Sequence, residues 1–343
     1  MTEVTVYIDP DVRALLAQAD PDAKDFCELA PVDARAAMDA MVDGMLPPVE
    51  IAEVRDIVIE AEGRTIQTRL YRPDTSNSGR LLVFFHGGGW EIGSIDNTDR
   101  PVRRLARDSG ISVLSVEYRL APEHPFPAGL DDCVAAVRWA AAHGDEIGFD
   151  GSFLAVGGDS SGANLAAATC QVIRDQGGPT IHHQLLVYPV VNRRFDTPSY
   201  EQFAHGFFLT RATMQSFWHL YVGGDETPPY ADLHAAGDLA GLPAATVFTC
   251  GLDVLRDEGD RYAADLADAG VAVTHVRVNG LLHGIWFMDA IVERAFQFGL
   301  DIANAVRRAA AQHPHAQTTP ARPQRPATRE PHLGDQHAHY RTD

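Results

Sequence analysis

The chain has 343 residues, 45% of them hydrophobic, and carries a formal net charge of −19. That is enough apolar material for a sizeable core in one large domain or two smaller ones, while the acidity argues against nucleic acid or an anionic lipid surface as partner. Cys27, Cys133, Cys170 and Cys250 are far apart and form no CxxC pair, which suggests small buried thiols rather than a zinc or redox centre.

The opening stretch, "MTEVTVYIDPD", has no basic region and no apolar run, so it does not read as a signal peptide. No segment approaches the roughly 18 apolar residues of a membrane span, and a soluble, cytoplasmic protein is expected. Within residues 1–50, "DPDVRALLAQAD" places Val12, Leu15 and Leu16 on one helical face behind Pro10 and Asp11, a start signal. "VDARAAMDAMVDGM" repeats the spacing with Ala37, Met38, Met41 and Val42. Near residue 53 the texture becomes β-like, with "VRDIVIEA" and "TIQTRLYRP" separated by the turn Glu62-Gly63-Arg64.

Apolar runs and helical patterns then alternate. Strands are expected at 81–85, 111–118, 152–156, 183–190, 245–251 and 272–278. Helices are expected at 130–143, where Leu130, Val134, Val137 and Ala141 share a face, and at 161–175, 257–269 and 285–311. Short continuous apolar strands joined by helices indicate an α/β fold, its mainly parallel central sheet flanked by helices on both faces. Reactive groups in such sheets collect in loops at the carboxyl ends of the strands. Residues 191–240 interrupt the alternation, are rich in aromatics and histidine, and contain the helical run "RATMQSFWHLYVG"; they read as an insertion between two strands. Residues 312–343 hold Pro314, Pro320, Pro323, Pro326 and Pro331 with little apolar content, so this tail is expected to be disordered. Its His337 and His339 are expected to be solvated, and no metal site is foreseen.

The most informative stretch is "VGGDSSGA" at 156–163. A glycine-flanked serine is weak evidence alone, but Ser160 follows the strand "SFLAV" and opens a helical pattern, the context a nucleophile elbow requires. Gly158 and Gly162 would relieve the crowding of so sharp a turn. Serine needs a base in hydrogen-bond reach, and the base an orienting carboxylate. Asp253 and His283 both fall just beyond strands, in the order Ser…Asp…His. Of the fifteen histidines, His283 is the best placed. His182 and His183 precede a strand, His143 closes a helix and His275 lies inside a strand. Asp257 and Asp260 are rival orienters on the helix side of the loop. "FFHGGGW" at 84–90 puts three glycines directly after a strand, and their N–H groups with that of Ser161 would cradle an oxyanion. The stretch contains neither GxGxxG nor GxxxxGK[ST], so a phosphate loop is disfavoured. His86 reads as a structural hydrogen-bonder, and Asp159 as no more than a structural hydrogen bond.

"HGGGW" (86–90), "YRLAPEHPFPA" (118–128), "GDSSG" (158–162), "DVLRDEG" (253–259) and "HG" (283–284) together resemble the hormone-sensitive-lipase-like esterases (bacterial family IV) of the α/β-hydrolase fold. "DPDVRALL" and "GFFLTRATMQSFWHLYVG" resemble that family's cap segments, and the resemblance runs from about residue 8 to 311. It implies an α/β-hydrolase catalytic domain of residues 51–190 and 241–311, a helical cap from 1–50 and 191–240, Ser160 as nucleophile, His283 as base and Asp253 as its orienter. Gly88, Gly89 and Ser161 would supply the oxyanion-hole amides. Ser161 and Ala163 stand where the family commonly has Ala and Gly. Val254 replaces a common proline, which should loosen the Asp253 loop, and Ile285-Trp286 depart from a usual "HGF", which should reshape one pocket wall. Trp90, Phe207, Phe208, Phe217, Trp218 and Trp286 are candidate walls of the substrate pocket. The expected activity is that of a serine carboxylesterase on short- to medium-chain acyl esters through an acyl-enzyme, with a small-molecule ester as partner and no cofactor. An amidase or deacetylase on the same scaffold, and a non-catalytic small-molecule receptor, remain alternatives, and a homodimer is left open.

Overall fold

The fold follows from strands that differ in how much water they meet. In the computed structural model, which describes residues 6–20, 23–43, 47–74, 79–224 and 226–313, β1 (Glu53–Ala61) and β2 (Arg64–Arg72) form an antiparallel hairpin turned by Gly63 at φ 71°. One face of β1 meets solvent, and there Arg69 pairs with Asp56 directly across the strands at 2.6 Å. The following strands β3 (Gly79–Phe85), β4 (Ser112–Glu117), β5 (Phe149–Asp159), β6 (His183–Val187) and β7 (Ala244–Leu252) are largely buried, while the edge strand β8 (Val273–Leu282) is exposed over Thr274–Arg277 and buried at its end, Gly280–Leu282. Leu81 to Phe85 are all fully buried, as a strand covered by helices on both faces must be. Sheet order is β1-β2-β4-β3-β5-β6-β7-β8, antiparallel from β1 to β4 and parallel beyond.

Helices α1 (Pro10–Ala17) and α2 (Pro31–Asp43) precede the sheet. α3 (Ile95–Ser109) links β3 to β4, while α4 (Ala128–Ala142) and the single turn α5 (Gly144–Ile147) link β4 to β5. α6 (Ser161–Gln176) follows β5, α7 (Pro198–Gln202) and α8 (Arg211–Val222) lie between β6 and β7, α9 (Arg256–Asp268) precedes β8, and α10 (Glu293–Ala311) follows it. α3 packs against α10, and α4 against α6. The chain moves outward from β3 to β4 and back from β4 to β5, so right-handed crossovers put those two pairs on opposite faces. That reversal leaves the loops after β3 and β5 diverging, the usual place for a crevice in an open α/β sheet.

Two elements differ from the sequence reading. The helix expected over 285–311 is a 3₁₀ turn at Ile285–Met288 followed by α10, with Asp289 held between them by Arg100 and Arg104 of α3. Helix α3 itself has no counterpart in the sequence reading, because Pro101 lies inside it. Its start is nonetheless capped, with Ser94 Oγ accepting from the Asn97 N–H at 3.1 Å. The tail beyond residue 313, and with it the expectation of disorder there, lies outside the described residues. No described helix is long and apolar enough to cross a membrane.

Candidate active site

Four strand ends supply the site. β5 ends at Asp159, and Ser160 turns the chain into α6 with φ 56° and ψ −120°, a conformation L-residues avoid unless their surroundings impose it. Gly158 and Gly162 make the turn feasible. A Cβ on Gly162 would collide with the carbonyl oxygens of Phe85 and His86, and one on Gly158 with the backbone of Gly162 and Phe85. The turn is pinned on its far side, where the Ser160 N–H donates to the Val187 carbonyl at 2.9 Å. Ser160 thus stands at the N-terminus of a 16-residue helix, whose dipole favours negative charge.

β8 ends at Leu282, and His283 follows it; β7 ends at Leu252, and Asp253 follows that. The structure brings the three residues together. His283 Nε2 lies 2.9 Å from Ser160 Oγ, and His283 Nδ1 lies 2.8 Å from Asp253 Oδ2. Asp253 is 1% exposed. With the Nδ1 proton donated to that carboxylate, Nε2 is left as an acceptor for the serine hydroxyl. Asp253 Oδ1 in turn accepts from the Leu255 N–H at 2.9 Å. The rival carboxylates point elsewhere: Asp257 accepts from the Ser199 N–H at 2.8 Å, and Asp260 pairs with His275 and Arg277. Val254, where a proline is common, is fully buried, and its carbonyl accepts from Ser199 Oγ at 2.7 Å.

β3 ends at Phe85, and the glycine loop follows beside the elbow. Gly88 and Gly89 take φ values of 121° and 60°, and both line the same cavity as Ser160 and His283. Neither position admits a side chain, since a Cβ would strike the Ile92 carbonyl or the Phe217 ring respectively. His86 is fully buried, and burial lowers its pKa, so it is held neutral. Its ring stacks on Tyr118 at 4.3 Å, and its carbonyl accepts from the Tyr118 hydroxyl at 2.7 Å. Asp159 Oδ1 accepts from the Gly87 N–H at 2.8 Å, and burial pushes its pKa up to about 7.

Comparison with known proteins agrees with this arrangement. A family model described as alpha/beta hydrolase fold matches residues 82–287. The carboxylic ester hydrolase LipN of Mycobacterium tuberculosis is 42% identical over 262 residues, covering 74% of this chain and 69% of its own. The carboxylesterase NlhH of the same species is 37% identical over 297 residues, covering 83% of this chain and 91% of its own. Among solved structures, a thermostable esterase from Pseudomonas putida aligns with a TM-score of 0.83 at 35% identity, over 92% of this chain and 100% of that one. The chain belongs to the α/β-hydrolase family. Within it, the motifs place the chain in the hormone-sensitive-lipase-like group.

In this hydrolase a cavity of about 90 Å³ opens onto Ser160. Phe26, Met38, Met41 and Val42 come to it from the N-terminal segment, Phe208, Leu209 and Phe217 from the segment between β6 and β7, and Gly284, Phe287 and Met288 from the loop after His283. Of the aromatic residues expected to form its walls, Phe208 and Phe217 do so. The others pack elsewhere. Trp90 is buried flat against Tyr221 (4.1 Å, 3°) and edge-on to Trp218 (4.8 Å, 63°), a stack that fastens α8 to the end of the glycine loop. Trp218 is fully buried in that stack. Phe207 packs edge-on against Phe203 at 5.0 Å. Trp286 turns inward against Phe84 at 5.7 Å, leaving its neighbours Phe287 and Met288 to face the cavity. Asn97 and Thr98 at the start of α3 also line the cavity. The sequence reading missed both. The one available signal was Ser94, a capping residue just ahead of them.

Proposed function

We propose that this hydrolase cleaves carboxylic esters with Ser160 as nucleophile, His283 as general base and acid, and Asp253 as the group that orients His283. The single observation carrying the reading is the continuous Asp253–His283–Ser160 hydrogen-bond chain, with contacts of 2.8 and 2.9 Å, opening into an apolar cavity. His283 Nε2 takes the hydroxyl proton as Ser160 Oγ attacks the ester carbonyl. The tetrahedral oxyanion is received by the N–H groups of Gly88, Gly89 and Ser161. His283 returns the proton to the departing alcohol. A water, deprotonated by the same imidazole, then releases the acid from the acyl-enzyme.

The substrate class follows from the cavity. The cavity is small and its lining mostly apolar, with Phe208, Leu209, Phe217, Phe287 and Met288 beside Ser160, which suits a short- to medium-chain acyl group. The helical segments 1–50 and 191–240 act as the cap, since residues of both close the cavity above Ser160. A matched amide is disfavoured: the relatives carry esterase names, and comparing ester with amide turnover tests this. All four cysteines are free thiols, which suits a reducing cytoplasm. The decisive experiment is hydrolysis of p-nitrophenyl butyrate by the wild type and by Ser160→Ala. Loss of turnover is expected, and an equally active variant would remove Ser160 from the mechanism.

A further inference from the structure

Asp159 belongs to the elbow motif but takes no part in the proton transfers above. Its carboxyl is 2% exposed, lines the cavity beside Ser160, and accepts from the Gly87 N–H at 2.8 Å. Gly87 is the residue immediately before the two oxyanion glycines. The contact leaves no slack, because a Cβ on Gly87 would run into the Asp159 carboxylate and carbonyl. The loop has other holds. Tyr118 grips the His86 carbonyl at 2.7 Å, and the Gly88 carbonyl accepts from the Ile92 and Glu91 N–H groups at 2.9 and 3.1 Å. All three of those partners belong to the loop itself or to the segment after β4. Asp159 alone among these holds comes from the elbow, one residue before the nucleophile.

Resting on the catalytic reading above, we infer that Asp159 is a positioning residue that registers the Gly88-Gly89 oxyanion cradle against Ser160. The geometry it fixes is the distance between attacking oxygen and the donors that receive the developing charge. This matters because left-handed glycines have no side chains to hold them, and an ångström of drift between catalytic groups can cost on the order of 100-fold. The role requires an acceptor oxygen at Oδ1, not a negative charge. It acts on the transition state, where the oxyanion forms, and leaves binding of the ground-state ester largely alone.

The test measures kcat and KM for p-nitrophenyl butyrate in Asp159→Ala and Asp159→Asn, together with inhibition by an aryl trifluoromethyl ketone, whose hemiketal oxyanion occupies the same cradle. Asp159→Ala is expected to lose about 10- to 100-fold in kcat with KM within about threefold, and to weaken the ketone in parallel. Asp159→Asn, which keeps the acceptor oxygen, is expected to recover kcat to within about fivefold of wild type. If Asp159→Ala does not fold, Asp159→Ser, whose hydroxyl stops short of Gly87, is expected to show the same kcat loss. Wild-type kcat in the Ala or Ser variant, a loss confined to KM, or an Asn variant as impaired as Ala overturns the inference. Ser160→Ala run alongside separates the two levels. If it is active, the catalytic reading fails; if it is dead while Asp159→Ala is unimpaired, only the positioning role fails.

Discussion

Replacing Phe208 with Ala should lengthen the acyl chain this enzyme prefers. Phe208 lines the cavity with its ring beside Gly284, yet is 41% exposed, so it forms an outer wall between cavity and solvent. A buried methylene is worth about 0.8 kcal/mol, roughly fourfold in kcat/KM. In the wild type that gain continues only until the small apolar cavity is filled, after which each carbon brings crowding instead. Without the Phe208 ring, a longer chain leaves through the opened wall along the remaining apolar lining. Octanoyl adds four methylenes to butyryl, and about half of that added surface should still find apolar contact. That is about 1.6 kcal/mol, so the octanoyl-to-butyryl ratio of kcat/KM should rise on the order of 15-fold. The assay is a p-nitrophenyl ester series from acetyl to decanoyl on both proteins. A ratio unchanged within about twofold would show that Phe208 does not bound the acyl chain.

Further outcomes follow from the same geometry. Asp253→Asn keeps the shape of the loop but lets the imidazole settle in the wrong tautomer, so kcat should fall by about 10⁴ with little change in melting temperature; stopped-flow or long-time esterase assays measure it. Gly162→Ala puts a Cβ into the Phe85 and His86 carbonyl oxygens, so it should abolish turnover and lower the thermal midpoint, while Ala at the exposed Gly224 should do neither. Asp159→Asn should also alter how stability depends on pH. The folded state raises this carboxyl from its usual 3.8 to about 7, so the unfolded chain gives up the proton first and wild-type stability falls as pH rises between those values. The cost reaches up to about 4 kcal/mol above pH 7. The melting-temperature advantage of the Asn variant should therefore widen from about pH 4 to pH 7 and then level off; a gap constant across that range would contradict the burial argument.

Much of the fold was legible because its signals are local. Continuous apolar strands such as "LLVFF" and "SFLAV" have one physical use, burial on both faces, and the structure places both at the centre of the sheet. Ser160, Asp253 and His283 were legible because each follows the end of a strand directly. The directions of aromatic side chains were not. Phe217 and Trp218 are neighbours on α8, set about 100° apart by the helix, so one faces the cavity and the other the stack with Trp90. Composition cannot tell which. Trp286 was hidden by the 3₁₀ turn after Gly284, which sends it inward and its two successors outward. Helix α3, with Asn97 and Thr98, was obscured by Pro101 and by its many charges, several of which are used in ion pairs to Arg69 and Asp289 rather than left in water. The apolar face formed by Met38, Met41 and Val42 was visible in the sequence, but nothing local says that it lines the site rather than the core.

The central claim is that Ser160 is the group acylated during turnover. Treatment with a fluorophosphonate, followed by proteolysis and mass spectrometry, tests it directly. One phosphonyl adduct is expected, on the oxygen of Ser160, forming as activity is lost and absent from Ser160→Ala. An adduct on Ser161 or elsewhere, or full inactivation without modification of Ser160, would contradict the account.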